Sequence, residues 1–176
     1  FAFGSADTWR GTADLNTSLR RLGLGERSAF RLNLLAHNAG VAGRNAVKNN
    51  RWGFAPSLAF GLGAPTRLTL GYYKLKQDNI SDYGIPWVPA TNNALAAYRD
   101  QPAPVPRETF YGFLTRDREI LNQDAATVKV EQDFSASAQL RSQLRYGLAG
   151  RNSIATPPRF AGNDSTIINR EMRSWV

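Results

Sequence analysis

Residues 51–63 read RWGFAPSLAFGLG, and two alternating sets of side chains run through them. Trp52, Phe54, Pro56, Leu58, Phe60 and Leu62 are large and apolar, whereas Gly53, Ala55, Ser57, Ala59 and Gly61 are all small. Successive residues of a β-strand point to opposite faces, so the stretch predicts a strand with one bulky apolar face and one almost bare. A soluble antiparallel sheet sets its apolar face on a core and turns polar residues to water. The bare face of 51–63 carries no charge, and a water-facing surface does not account for it. A membrane barrel strand does, because its apolar set meets lipid and small lumen residues leave room for something packed inside. Pro56 is the difficulty: a closed barrel has no free edge to excuse a missing N–H, so a bulge or local irregularity is expected there.

The same period of two recurs along the chain. It is seen in TADLNTSLR (12–20), FRLNLLAH (30–37), RLTLGY (67–72), ATVKVEQDF (126–134) and QLRSQLRYGLAG (139–150). Strict alternation over so many segments predicts an all-β chain. TNNALAAYRD (91–100) allows at most a short helix in a loop. The spacers LGLGERS (22–28), GLGAPT (61–66) and SASA (135–138) are short, while 37–50, 77–122 and 152–165 are long, and the two sizes alternate. Antiparallel strands then carry their tight turns at one end and their long loops at the other, as a transmembrane β-barrel does. A soluble β-sandwich or lipocalin-like barrel also alternates, but leaves the bare face and the loop at 77–122 without a reason. Trp9, Trp52, Tyr72, Tyr73, Phe134, Tyr146 and Trp175 fall near strand ends, where interfacial aromatic girdles form. Asp14, Asn16, Arg20, Arg31, Asn33, Lys129, Glu131, Arg141 and Arg145 fall in the polar, lumen-directed set, and His37 falls near the extracellular rim.

The 176 residues carry a net charge of +8, which raises the question of nucleic acid. Arg20-Arg21 is the only adjacent basic pair, and the cations are spread along alternating segments rather than clustered, so no nucleic-acid partner is expected. Cysteine is absent and His37 is the single histidine, which argues against a protein-held zinc or other metal site. No GxSxG, HExxH or phosphate-loop pattern occurs, and the expectation is that the chain is not an enzyme and holds no cofactor.

WRGTADLN (9–16), residues 41–89 with RWGFAPSLAFGLG and DYGIPWVP, FYGFLTRDRE (110–119), RYGLAGRNS (145–153), PPRF (157–160) and IINREMRSW (167–175) together resemble TonB-dependent outer-membrane receptors. Within that family they are similar to the catecholate siderophore receptor group. The resemblance implies uptake of ferric siderophores across the outer membrane of a Gram-negative bacterium. Such transporters are barrels of roughly 22 strands with a plugged lumen. No plug or TonB-box pattern occurs, so the resemblance makes residues 1–176 a partial barrel domain of about seven or eight strands. The plug and the C-terminal strands are then absent, and TonB would be reached through the missing plug. Outer-membrane lipid and lipopolysaccharide are the surrounding partners. A passive porin-like channel remains the alternative reading.

A ferric catecholate is large, anionic and aromatic, and its site calls for cations and π-faces outside the membrane. The long loop at 77–122 offers both: Tyr83, Trp87, Tyr98, Phe110, Tyr111 and Phe113 interleave with Arg99, Arg107, Arg116 and Arg118. Tyr83, Trp87, Arg99, Arg107, Tyr111, Arg116, Arg118 and, from the next long loop, Arg151 are the candidate ligand contacts. Their arginines serve equally to bind lipopolysaccharide phosphates or to pair with Asp82, Asp100, Asp117 and Glu119. The DYGIPW aromatics serve equally to pack the loop.

Overall fold

The computed structural model describes residues 1–162, 164–170 and 172–175; the side chains of Arg21, Arg170 and the expected girdle residue Trp175 lie outside the described residues. Ten strands follow one another: β1 (Ala2–Gly4), β2 (Thr8–Ser18), β3 (Ala29–Val41), β4 (Arg44–Phe60), β5 (Thr66–Ile80), β6 (Arg118–Ser135), β7 (Ala138–Ala155), β8 (Pro158–Phe160), β9 (Ile168–Arg170) and β10 (Arg173–Trp175). Eight of them form one sheet in the order β1-β2-β3-β4-β5-β6-β7-β10, with every neighbouring pair antiparallel. The sheet does not close: β1 and β10 are its two edges. β8 and β9 make a separate hairpin between β7 and β10. In the segment 91–100 only Ala96–Tyr98 forms a single 3-10 turn.

Register divides the side chains into two sets. One row runs Phe30, Leu58, Leu70, Val128 and Leu144 across β3 to β7, and the next runs Leu15 and Leu32 on β2 and β3 with Ala126 and Tyr146 on β6 and β7. This apolar set stays open to its surroundings, Leu144 at 72 % and Tyr146 at 66 % exposure, with no core against it. In a barrel that is the lipid-facing set. Trp52 stacks on Phe54 at 6.3 Å between ring centroids, and Phe54 lies 5.8 Å from Tyr72. The Tyr72 hydroxyl donates to Asp124, which also pairs with Lys74 at 2.8 Å, so polar groups take over the outer face there. The opposite set lines the lumen with ion pairs from Arg31 to Asp14 and from Arg67 to Asp133, and with Lys129 2.9 Å from Glu131.

Three sequence expectations change and one takes a definite form. First, 37–50 is not a long loop. β3 and β4 run on to Val41 and Arg44 and turn through Ala42-Gly43, with Gly43 at φ +69°. The hairpin is irregular, because residues 45–48 of β4 lie opposite Gly40 alone. The strand of 51–63 therefore starts at Arg44 and spans 17 residues, more than the roughly 9–11 that cross the hydrocarbon. Second, the irregularity expected at Pro56 is a lapse in pairing rather than a bulge. Ala55 and Pro56 keep their pairing to β3 but drop out of the ladder to β5, and the same β4–β5 register resumes at Ser57↔Gly71. Third, Arg20 is not a lumen residue; it sits in the 3-10 turn Arg20–Leu22 and meets Glu26 at 3.1 Å, both exposed. Fourth, Tyr73 follows Tyr72 in β5 and so falls in the lumen set rather than an outer girdle.

Candidate functional site

The loop between β5 and β6 has a small core of its own. Val88, Pro86 and Asn92 are fully buried in it, with Ser153 and Thr156 from the end of β7. Val88 N–H donates to the Gln101 carbonyl, Asp100 N–H to Val88, and Ala103 N–H to Pro86, which folds 86–88 against 100–103 as a miniature hairpin. Buried backbone groups far from any sheet require such partners.

Three side chains fasten this unit. Arg44, only 7 % exposed, grips Asp82 with two hydrogen bonds of 2.7 Å, and also donates to the carbonyls of Arg107 and, at 3.3 Å, Gly84. Burial raises the Asp82 pKa, but the hydrogen bonds from Arg44 and the Gly84 N–H, with the Arg44 charge, outweigh it and leave the carboxyl below its ordinary 3.8. Asp117 accepts from Thr156 and from the Phe113 N–H at 3.2 Å, while Arg116 donates to the Thr156 hydroxyl at 2.9 Å and lies 4.8 Å over the Phe113 ring. Asn92 donates to the Ser165 carbonyl at 2.9 Å and the Asn93 N–H meets Asp164 at 3.2 Å, which ties this loop to the one after β7.

The candidate residues separate by what they already hold. Arg99 donates to the Asn92 carbonyl at 2.9 Å and to the Asn93 side chain, so it braces the turn. Arg116 braces Thr156, and Arg151 meets Glu119 at 3.6 Å on the lumen set, where Ser81 also donates to Glu119 at 2.6 Å. Tyr111 donates to the Pro106 carbonyl at 3.2 Å and shares a crevice with Tyr83, Asp117 and Thr156. Trp87, bridged to Pro102 through its backbone, is 58 % exposed, and Tyr83 is exposed too. Arg107 and Arg118 are exposed, with no side-chain partner among the described residues. Arg118 pairs with Ile154 in the outer set that continues through Ile120, Asn122 and Asp124, so it belongs to the outside of the barrel. Nothing in the sequence singles out Arg44 among the chain's arginines, because its partner Asp82 is 38 positions away.

No family model matches the chain. It is 38% identical over 174 residues to the probable TonB-dependent receptor BfrD of Bordetella pertussis, covering 97% of this chain and 22% of that protein. It is 32% identical over 179 residues to the catecholate siderophore receptor Fiu of Escherichia coli, covering 99% of this chain and 23% of Fiu. The closed-form crystal structure of the ferric-catecholate import receptor Fiu superposes with a TM-score of 0.82 at 30% identity, over 98% of this chain and 25% of that one. The siderophore receptor PiuA of Acinetobacter baumannii gives 0.75 at 30% identity, over 89% of this chain and 21% of PiuA. The chain thus spans about a quarter of the length of the relatives it matches. With the alternating faces, the antiparallel ladder and a buttressed outer loop, these likenesses agree: the chain belongs to the TonB-dependent receptors, outer-membrane β-barrel proteins of Gram-negative bacteria, as a segment of the barrel wall.

Proposed function

We propose that the parent protein imports ferric siderophores of the catecholate type in a TonB-dependent manner, and that this chain supplies part of its barrel wall and two of its outer loops. The observation that carries the reading is the buttressed 81–117 loop, which holds Trp87 and Tyr83 exposed while leaving Arg107 free. Exposed rings stack on catechols, and an unpaired guanidinium meets the anionic oxygens of the complex. Arg99, Arg116 and Arg151 act as braces for that surface rather than as contacts. Likeness to proteins named as siderophore receptors favours import over a passive pore and over catalysis. TonB engages a part of the parent outside this chain. Arg118, with Lys48 and Lys76 on the same outer set, faces the phosphates of lipopolysaccharide.

Equilibrium binding to the full-length receptor tests the proposal. Ferric catecholates should bind in preference to ferric citrate or hydroxamates, and Arg107→Gln should weaken binding about tenfold, as for one charge-assisted contact. Preference for citrate or hydroxamate complexes would overturn it.

A further inference from the structure

The lumen set carries its charges in two different ways. Towards the turns at 61–65 and 136–137 the cations have anions: Arg31 holds Asp14, Arg67 holds Asp133, and Lys129 and Arg141 flank Glu131. Nearer the outer loops, register sets Arg10, His37 and Arg51 side by side on β2, β3 and β4. Among the described residues neither Arg10 nor Arg51 has an ion pair. Among the described residues Arg145 also lacks one, but the other cation of its row, Arg31, lies four strands away on β3 and holds Asp14. Two nitrogens of the trio, His37 Nδ1 and Arg51 Nε, are shut off from solvent with no hydrogen-bond partner.

Beside them lies a hollow of about 240 Å³, with Arg10 and Arg51 at its charged end and Leu35, Gly53, Ala55 and Tyr73 along its sides. Its volume falls below the roughly 300–1,000 Å³ of pockets that take whole small molecules. It suits a single side chain. Gly53 and Ala55 keep the wall low, so another backbone can come close.

We propose that Arg10, His37 and Arg51 receive one carboxylate, from an Asp or Glu of a polypeptide segment of the parent protein seated inside the barrel. The two guanidiniums supply the charge and the fork geometry that suits a carboxylate, and His37 sits between them. The carboxylate supplies the negative charge that Arg10 and Arg51 lack among the described residues. The inference depends on the barrel and is independent of which cargo is carried.

Carbodiimide coupling in the full-length receptor tests it, because this reagent joins an amine to a carboxylate only where the two touch. In separate Arg10→Lys and Arg51→Lys variants, the new amine should form an amide with one Asp or Glu outside residues 1–176, seen by mass spectrometry as a joined peptide pair lighter by one water. Arg31→Lys, which should couple to Asp14, shows that the reagent reaches the lumen. If that control couples while Lys at 10 and 51 stays free, or couples only within 1–176, the proposal falls. It also falls if Lys at 51 stays uncoupled and a ferric catecholate shields it from an amine-modifying reagent, since the row then serves the cargo. A receptor that fails to bind ferric catecholates but still couples would refute the transport reading and leave this one standing.

Discussion

Arg44 touches the 81–117 loop at three places: the Asp82 carboxylate and the carbonyls of Gly84 and Arg107. Removing Arg44 strips these hydrogen bonds from the loop, but Asp82 stays open to water, so the cost is about 1–2 kcal/mol. Arg44→Met should therefore raise amide exchange in the 82–84 and 107–108 segments of the parent receptor about tenfold, by hydrogen-exchange mass spectrometry. Arg107→Met, which keeps the carbonyl and loses only a free guanidinium, should leave those segments unchanged. The pair also sets a pH window. The folded Asp82 carboxyl titrates below its ordinary 3.8, so its contribution is complete above that value and fades as pH falls through the lowered one. Exchange in 82–84, corrected for its intrinsic rate, should stay flat from neutral pH down to about 4 and rise below. A rise beginning near pH 6 would contradict the assignment. At this scale the site was only half legible. Arg99, Arg107 and Arg116 are alike in sequence, and what separates the braces from the free cation is a partner that the fold brings in, such as Thr156 for Arg116.

Strands were far more legible than side-chain roles, because period-two alternation is a property of neighbours in sequence while pairing is not. Where lipid ends, the signal fades although the ladder continues. Near the outer rim the outer set of β3 and β4 turns polar, with Asn38, Lys48 and Asn50. Asn, Gly and His there read as loop residues, and the stretch 37–50 turned out to be paired hairpin. Pro56 was legible as an irregularity, yet its form depended on β5, whose Tyr72 and Tyr73 stand where the pairing lapses. Close by, a Cβ on Gly53 would meet the Lys74 carbonyl oxygen at 2.6 Å, so that glycine is needed for strand approach as well as for a low lumen wall. Gly53→Ala should lower the folded fraction of the parent on unheated gels, and Ala55→Ser should not. The two faces can be tested directly. Leu144→Lys places a charge in lipid and should cost about 2–4 kcal/mol in folding titrations into vesicles, whereas Gln143→Lys on the lumen side should be near neutral. Equal costs would mean that the faces are assigned the wrong way round.

As a whole the segment is an open sheet with β1 and β10 as bare edges and a wide apolar face. Lipid cannot satisfy the hydrogen-bonding groups of an unpaired edge, and such edges in water recruit other strands. Purified residues 1–176 placed in liposomes should show no ferric siderophore uptake, and in detergent should associate rather than remain monomeric; uptake by the segment alone would refute this. The buried Asp117, with Thr156 just past the far end of β7, and Asn92, held by Ser165, join two loops that lie on either side of a long β-hairpin. The two loops are therefore one heritable part. A chimera that borrows the 81–117 loop from a related receptor without the 156–172 loop would bury Asp117 and Asn92 against strangers. Changes in cargo preference, whether by evolution or by grafting, should pass between receptors with both loops together.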